Sequence, residues 1–217
     1  VWLGFACISK VFSLALCKSL DNDALMTSTA DPILAPPGAG LPAPEHFIAR
    51  RLFALRRLTG NRDAFDARFR TERAGIRRLV DSCPPASRGI RVLIARPRGL
   101  EDSSRYWSVW MTLDHLRITN EAFAGIIRSL TSGRVPPGVA STAAVKPSPS
   151  ADGSVEPLYE ASCDAVREAA FAAPDLRTPL RFAHPWFGPL DAFGWHALSG
   201  THLGIHRVQI RRILAGL

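Results

Sequence analysis

Lysine is almost missing from this chain. It occurs only at Lys10, Lys18 and Lys146, although the 217 residues carry a net charge of +8. The positive charge is therefore nearly all arginine, spread over several segments. The densest stretch, residues 67–80, holds Arg68, Arg70, Arg73, Arg77 and Arg78 against a single acid, Glu72. No RNP-like motif, zinc-finger spacing or glycine-rich phosphate loop accompanies it. The stretch is expected to be a solvated helix face, and nucleic acid is not an expected partner. The four cysteines (Cys7, Cys17, Cys83, Cys163) show neither CxxC spacing nor a disulfide framework, which points to free thiols in a reducing, cytoplasmic setting. No apolar run reaches the roughly 20 residues of a membrane-spanning helix. The metalloprotease signature HExxH is also missing, because Leu203 follows His202.

What is present suffices for one good core: 47% of the residues are hydrophobic, in a length too short for two large domains. Residues 1–20 are apolar but interrupted by Lys10, with no basic lead and no small-residue cleavage site, so they fit neither a signal peptide nor a span. Met26 opens a stretch of soluble character, and residues 1–25 are expected to be an over-extended gene start. A membrane comes into question only if residues 1–20 belong to the native protein. Residues 31–44, DPILAPPGAGLPAP, form a Pro/Gly-rich arm. Residues 1–43 are thus assigned to an N-terminal extension and 44–217 to one helical domain.

Within that domain, hydrophobic periodicity predicts a short helix from Glu45 to about Leu58, with Phe47, Leu52, Leu55 and Leu58 on its apolar side. A second helix begins near Asp63 and carries the stripe Phe65, Phe69, Ile76, Leu79 and Val80. Glu72 falls on that stripe, an unusual place for an acid. After the break at CPPASRG comes a connection with a short extended run at Val92–Ile94. Asp102, Ser103 and Ser104 are N-cap candidates for a long helix over residues 105–133. Residues 136–153 are expected to be a flexible loop, residues 156–173 a further helix, and residues 190–214 the last one. Four main helices plus a short N-terminal one predict an all-α protein, a four-helix bundle in up-and-down or crossover form.

His202 and His206 stand four apart in the last predicted helix, one turn of helix, on the same face. His196 is rotated by roughly 240° from His202 and cannot join them. His115 sits in the middle of its helix among residues that face the core. His46 is expected to be an exposed polar residue, and His184, before Pro185 in the loop leading into the last helix, is one candidate for a group facing substrate or supporting the site. An HxxxH pair with a third imidazole from another helix is one way to hold a divalent cation with a coordination position left open.

The blocks EDSSRYWSVWMTLDHL and HPWFGPLDAFGWHALSGTHLGIHRVQIRRI resemble the DinB-like superfamily of metal-binding four-helix bundles. That superfamily includes bacillithiol S-transferases and mycothiol-dependent maleylpyruvate isomerase-type proteins. The resemblance covers roughly residues 62–217. It implies one metal ligand at His115 and two at His202 and His206, with zinc or nickel as the cation, since imidazole suits both. It implies thiol S-transfer or hydrolysis as activity, a small-molecule thiol and an electrophile as partners, and a homodimer. The competing class is a non-catalytic bundle that keeps its metal for stability and serves as a stress-related binding protein. Glu72, Gln209 and His184 are the candidates for supporting or catalytic roles. Glu72 is equally suited to pair with an arginine of a neighbouring helix. The N-terminal extension, the additional helix around 45–58 and the loop 134–153 depart from the superfamily pattern.

Overall fold

The computed structural model describes residues 31–217. Five α-helices dominate: α1 (Ala43–Thr59), α2 (Arg62–Asp81), α3 (Val109–Thr131), α4 (Val155–Ala172) and α5 (Ala192–Leu214). The last four make a four-helix bundle in which α3 packs on α4 and α5, and α5 packs on α2. The additional helix α1 lies against α5. Two short antiparallel pairs decorate the connections: β1 (Val92–Leu93) with β2 (Tyr106–Trp107), and β3 (Phe182–His184) with β4 (Gly188–Leu190). The expectations for residues 1–30, including a start at Met26 and any membrane role, lie outside the described residues. Among those described, no helix is long and apolar enough to cross a membrane.

The helix ends follow from local chemistry. Asn61, Ser108 and Asp191 each turn a side-chain oxygen onto a backbone N–H of the first turn, at 2.9, 3.1 and 2.8 Å. Each satisfies a donor that the helix itself cannot. The α2 stripe packs inward as its period requires, with Phe69 and Ile76 completely buried. It meets α5 at Gly200, where an added Cβ would lie 3.1 Å from the Phe69 backbone nitrogen. The missing side chain lets two helix backbones approach closely.

Several expectations are corrected. The long helix begins at Val109 rather than Arg105, and its cap is Ser108, while Asp102–Ser104 is a short 3-10 turn. Tyr106 and Trp107 pair instead with Leu93 and Val92, as aromatic and β-branched residues favour. The stripe of α1 points the other way: Phe47, Leu52, Leu55 and Leu58 are exposed, and Phe53 is the buried residue, its ring 4.5 Å from that of Phe187. The docked side of α1 is chosen by polar contacts. Glu45 accepts from Arg96 Nη1 at 3.1 Å and from the Gly99 N–H at 2.6 Å, and Arg57 pairs with Asp191 at 3.1 Å. The arginine-rich stretch is not simply a solvated face. Arg70 pairs with Asp66, Arg73 with Glu160 and Asp164, and Arg77 with Asp81. Much of its charge is therefore compensated within the chain.

The segment 134–153 is likewise tied down rather than loose. Ser148 N–H donates to Asp114 Oδ2 at 2.9 Å, and Thr142 Oγ1 donates to Glu101 Oε1 at 2.8 Å. Lys146 Nζ reaches Glu101 Oε2 at 2.9 Å. Burial alone would raise the Glu101 carboxyl, but the bonds from Lys146 and Thr142 outweigh it and hold the group below its usual range. Buried acids need such partners, and the loop supplies them. The Pro-rich arm is held in the same way, by Ala35 N–H to Asp102 Oδ2 at 2.9 Å.

Candidate metal centre

α3 and α5 bring His115, His202 and His206 together. His202 and His206 stack one turn apart on α5, as their spacing requires. Their face is opposite the one on which Gly200 and Gly204 meet α2. The close approach on one side of α5 thus leaves the other side free for imidazoles. His115 comes from the middle of α3, where its neighbours Leu113 and Leu116 are core residues.

The Nε2 atoms of His115 and His206 each lie 3.2 Å from His202 Nε2. All three ligand atoms fall within 4.8 Å of one another. Nitrogens bound at 2.0–2.1 Å in a tetrahedral array stand about 3.3 Å apart, so the donor set fits one cation. The outer nitrogens support this. His115 Nδ1 bonds the Val145 carbonyl at 2.6 Å, and only a protonated Nδ1 can do so. Gln209 donates its amide N–H to the Ser104 carbonyl at 2.7 Å, so its Oε1 accepts from His206 Nδ1 at 2.6 Å. With both protons at Nδ1, the Nε2 lone pairs of His115 and His206 turn inward. A single proton on His202 Nε2 satisfies one of them, whereas a cation satisfies both. His202 Nδ1 is buried without a partner among the described residues.

Burial keeps these rings neutral, the form that ligates. It pushes His115 down to about 4, the Val145 bond opposing only in part. His202 and His206 are pushed well below their ordinary value, first by burial and then by the charge each would feel from a neighbouring imidazolium. The Trp107 ring lies 5.2 Å from His115 and stacks nearly parallel to His206 at 6.2 Å. Phe123 closes on His202 edge-on at 5.6 Å.

The three histidines form part of the wall of a cavity of about 340 Å³. Its other walls are mostly apolar, with Phe53, Phe123, Phe187 and Trp195 prominent. His184 lines it from the β3–β4 hairpin, where its Nδ1 accepts from the Trp186 N–H at 3.1 Å. Gly188 supplies the left-handed residue, φ +70°, that the hairpin needs. Burial holds His184 at about 4 as well. His46 is half-buried rather than exposed, its Nε2 2.7 Å from the Trp186 carbonyl. His196 is completely buried away from the trio, near the Arg62 carbonyl. Glu72 does not touch the histidines. It pairs with Arg207 at 2.6 Å and more loosely with Arg68 at 3.8 Å.

Sequence reasoning misses Val145, Ser104 and Trp107. Two of them act through backbone carbonyls, which carry no residue signature. Trp107 is hidden by its assignment to a helix.

Comparison with known proteins bears on the fold alone. TT2238, whose crystal structure is described as that of a four-helix bundle protein, is similar to this chain at TM-score 0.50. The identity is 19%, over 70% of this chain and 98% of that one. No protein-family profile matches the chain, and no curated protein does.

Two expectations follow from this geometry. Gln209→Leu removes the acceptor of His206 and strands the Ser104 carbonyl. Metal affinity should fall by roughly 10–100-fold, read by competition with a chromogenic chelator. An unchanged affinity would mean that Gln209 does not orient the ring. The second concerns acid stability of the chelator-treated chain. Unfolded imidazoles bind protons near pH 6.5, but those of His115 and His184 do so only near pH 4 when folded. Between these values the unfolded state holds more protons, so stability drops as the pH falls through that window. Each of the two groups contributes on the order of 3 kcal/mol by its lower end. Thermal melts across the window test this, and a level Tm would contradict it.

Proposed function

We propose that the chain is a metal-dependent enzyme of the DinB-like superfamily, acting as a thiol S-transferase or a hydrolase at the three-histidine site. The observation that carries the reading is the convergence of three neutral Nε2 atoms on the wall of a cavity large enough for a small molecule. Three protein ligands leave a coordination position open, as catalytic sites do. A divalent cation, zinc or nickel, supplies a Lewis acid there that favours a thiolate or an activated water.

The chain's own residues do the rest. His115, His202 and His206 hold the cation, and Val145 and Gln209 keep two of the rings correctly turned. Trp107 and Phe123 shield the imidazoles from water. The apolar walls hold the electrophile beside the site. In the transferase reaction the thiol gives its proton to solvent water, its sulfur forms a bond to the electrophilic carbon, and the leaving group departs with the bonding electrons.

The test uses protein purified without an affinity tag, loaded with zinc or nickel and offered a panel of low-molecular-weight thiols with 1-chloro-2,4-dinitrobenzene. Turnover that requires the metal supports the transferase reading. No turnover with any thiol, together with no metal-dependent ester hydrolysis, refutes the enzymatic reading.

A further inference from the structure

The cavity is not uniformly apolar. Arg56 of α1 and Arg68 of α2 both line it, beside the turn of α5 that carries Thr201 and His202. Arg56 makes no ion pair among the described residues. Its Nη1 donates to Thr201 Oγ1 at 3.1 Å. Arg68 Nε reaches the Gly200 carbonyl at 3.4 Å. Glu72 is the carboxylate that Arg68 meets, at 3.8 Å, but its tighter partner is Arg207 at 2.6 Å, and Glu101, which also lines the cavity, is taken by Lys146. Arg207 and Arg68 therefore share one carboxylate, Arg56 has none, and the excess positive charge sits on the two guanidinium groups that reach the cavity.

Burial and the neighbouring charge of Arg68 both lower the Arg56 guanidinium below its ordinary value, with Glu72 only partly opposing them. Two under-compensated cations beside an apolar chamber are stabilised by an anion that brings its own hydrocarbon. We propose that this end of the cavity is an anion subsite, and that the natural ligand is an apolar molecule bearing one carboxylate-like group. Arg56 and Arg68 clasp the anionic group, and the hydrocarbon lies along Phe53, Phe123 and Trp195. The inference deepens the proposed enzyme by naming a class of substrate for the same cavity, and it rests on that reading only for what happens after binding.

Binding of decanoate and of decanol is measured by calorimetry on the full chain, both metal-loaded and chelator-treated. Decanoate should bind more tightly than decanol in both forms. Arg56→Gln and Arg68→Gln should each weaken decanoate by about tenfold or more, as loss of a charge-assisted contact does, and leave decanol unchanged. Arg56→Lys, which keeps the charge, should recover part of the loss, and circular dichroism checks that each variant is folded. Decanoate affinity that ignores both glutamine variants overturns the proposal. So does decanoate binding that vanishes on chelation, because the carboxylate then goes to the metal. The first result leaves the metal-dependent enzyme standing. Conversely, a lack of thiol turnover leaves an arginine effect in chelator-treated protein intact.

Discussion

His206→Ala should abolish stoichiometric binding of zinc or nickel, with the rest of the bundle still folded. The variant removes one of three donors and leaves two imidazoles, which do not enclose a cation. Losing a hydrogen bond to a ligand already reduces affinity roughly 10–100-fold, and losing the ligand itself exceeds that. His206 is a cleaner choice than His115. Truncating His115 also strands the Val145 carbonyl that fastens the loop, whereas truncating His206 frees a side-chain acceptor, the Gln209 amide oxygen, and no loop carbonyl. Elemental analysis of untagged protein, with one equivalent in the parent and none in the variant, checks the expectation. Equal metal in both would place any bound cation elsewhere.

Gly200→Leu should be the most damaging change in the helix packing. Its Cβ would stand 3.1 Å from the nitrogen and 3.3 Å from the Cα of Phe69. Those are backbone atoms of α2 and cannot swing aside as a side chain does. Overpacking of this kind costs about 3 kcal/mol, or a Tm lower by roughly 10 °C for a chain of this size. The contrast is Gly125 on α3, where an added Cβ meets nothing within 4 Å. There an alanine should stabilise by up to about 1 kcal/mol, through helix propensity alone. Thermal melts of the two variants beside the parent separate packing from propensity. A neutral Gly200→Leu would mean that α2 and α5 do not approach as described.

The two variants probe features that were legible to different degrees. The helices were readable where apolar spacing ran for several turns, as in α2, whose inward stripe includes Phe65, Phe69, Ile76 and Val80. The same logic misdirected α1. That helix is docked by Glu45, Arg57 and Phe53, while its longer apolar series faces outward. Periodicity reports that a face exists and is silent about polar contacts that outweigh it. Three good capping residues precede Ser108 and draw the expected start of α3 upstream, and nothing local says that Tyr106 and Trp107 pair with β1. The histidine trio could be assembled from HxxxH spacing only with a family resemblance to add His115. Glu72, an acid on an apolar stripe, was a signal of the right kind, and its partner proves to be Arg207.

The loop carbonyl at Val145 and the Ser104 carbonyl behind Gln209 have a consequence for the order in which the molecule is completed. The centre draws on Ser104, His115, Val145 and residues 202–209 of α5. During synthesis the first three regions emerge long before the last. Until α5 is made and docked, His115 stands as a solitary imidazole facing an incomplete cavity. A cation held by the three histidines would therefore be captured only when α5 docks and the bundle closes. Occupancy of the site would thus report that folding has finished.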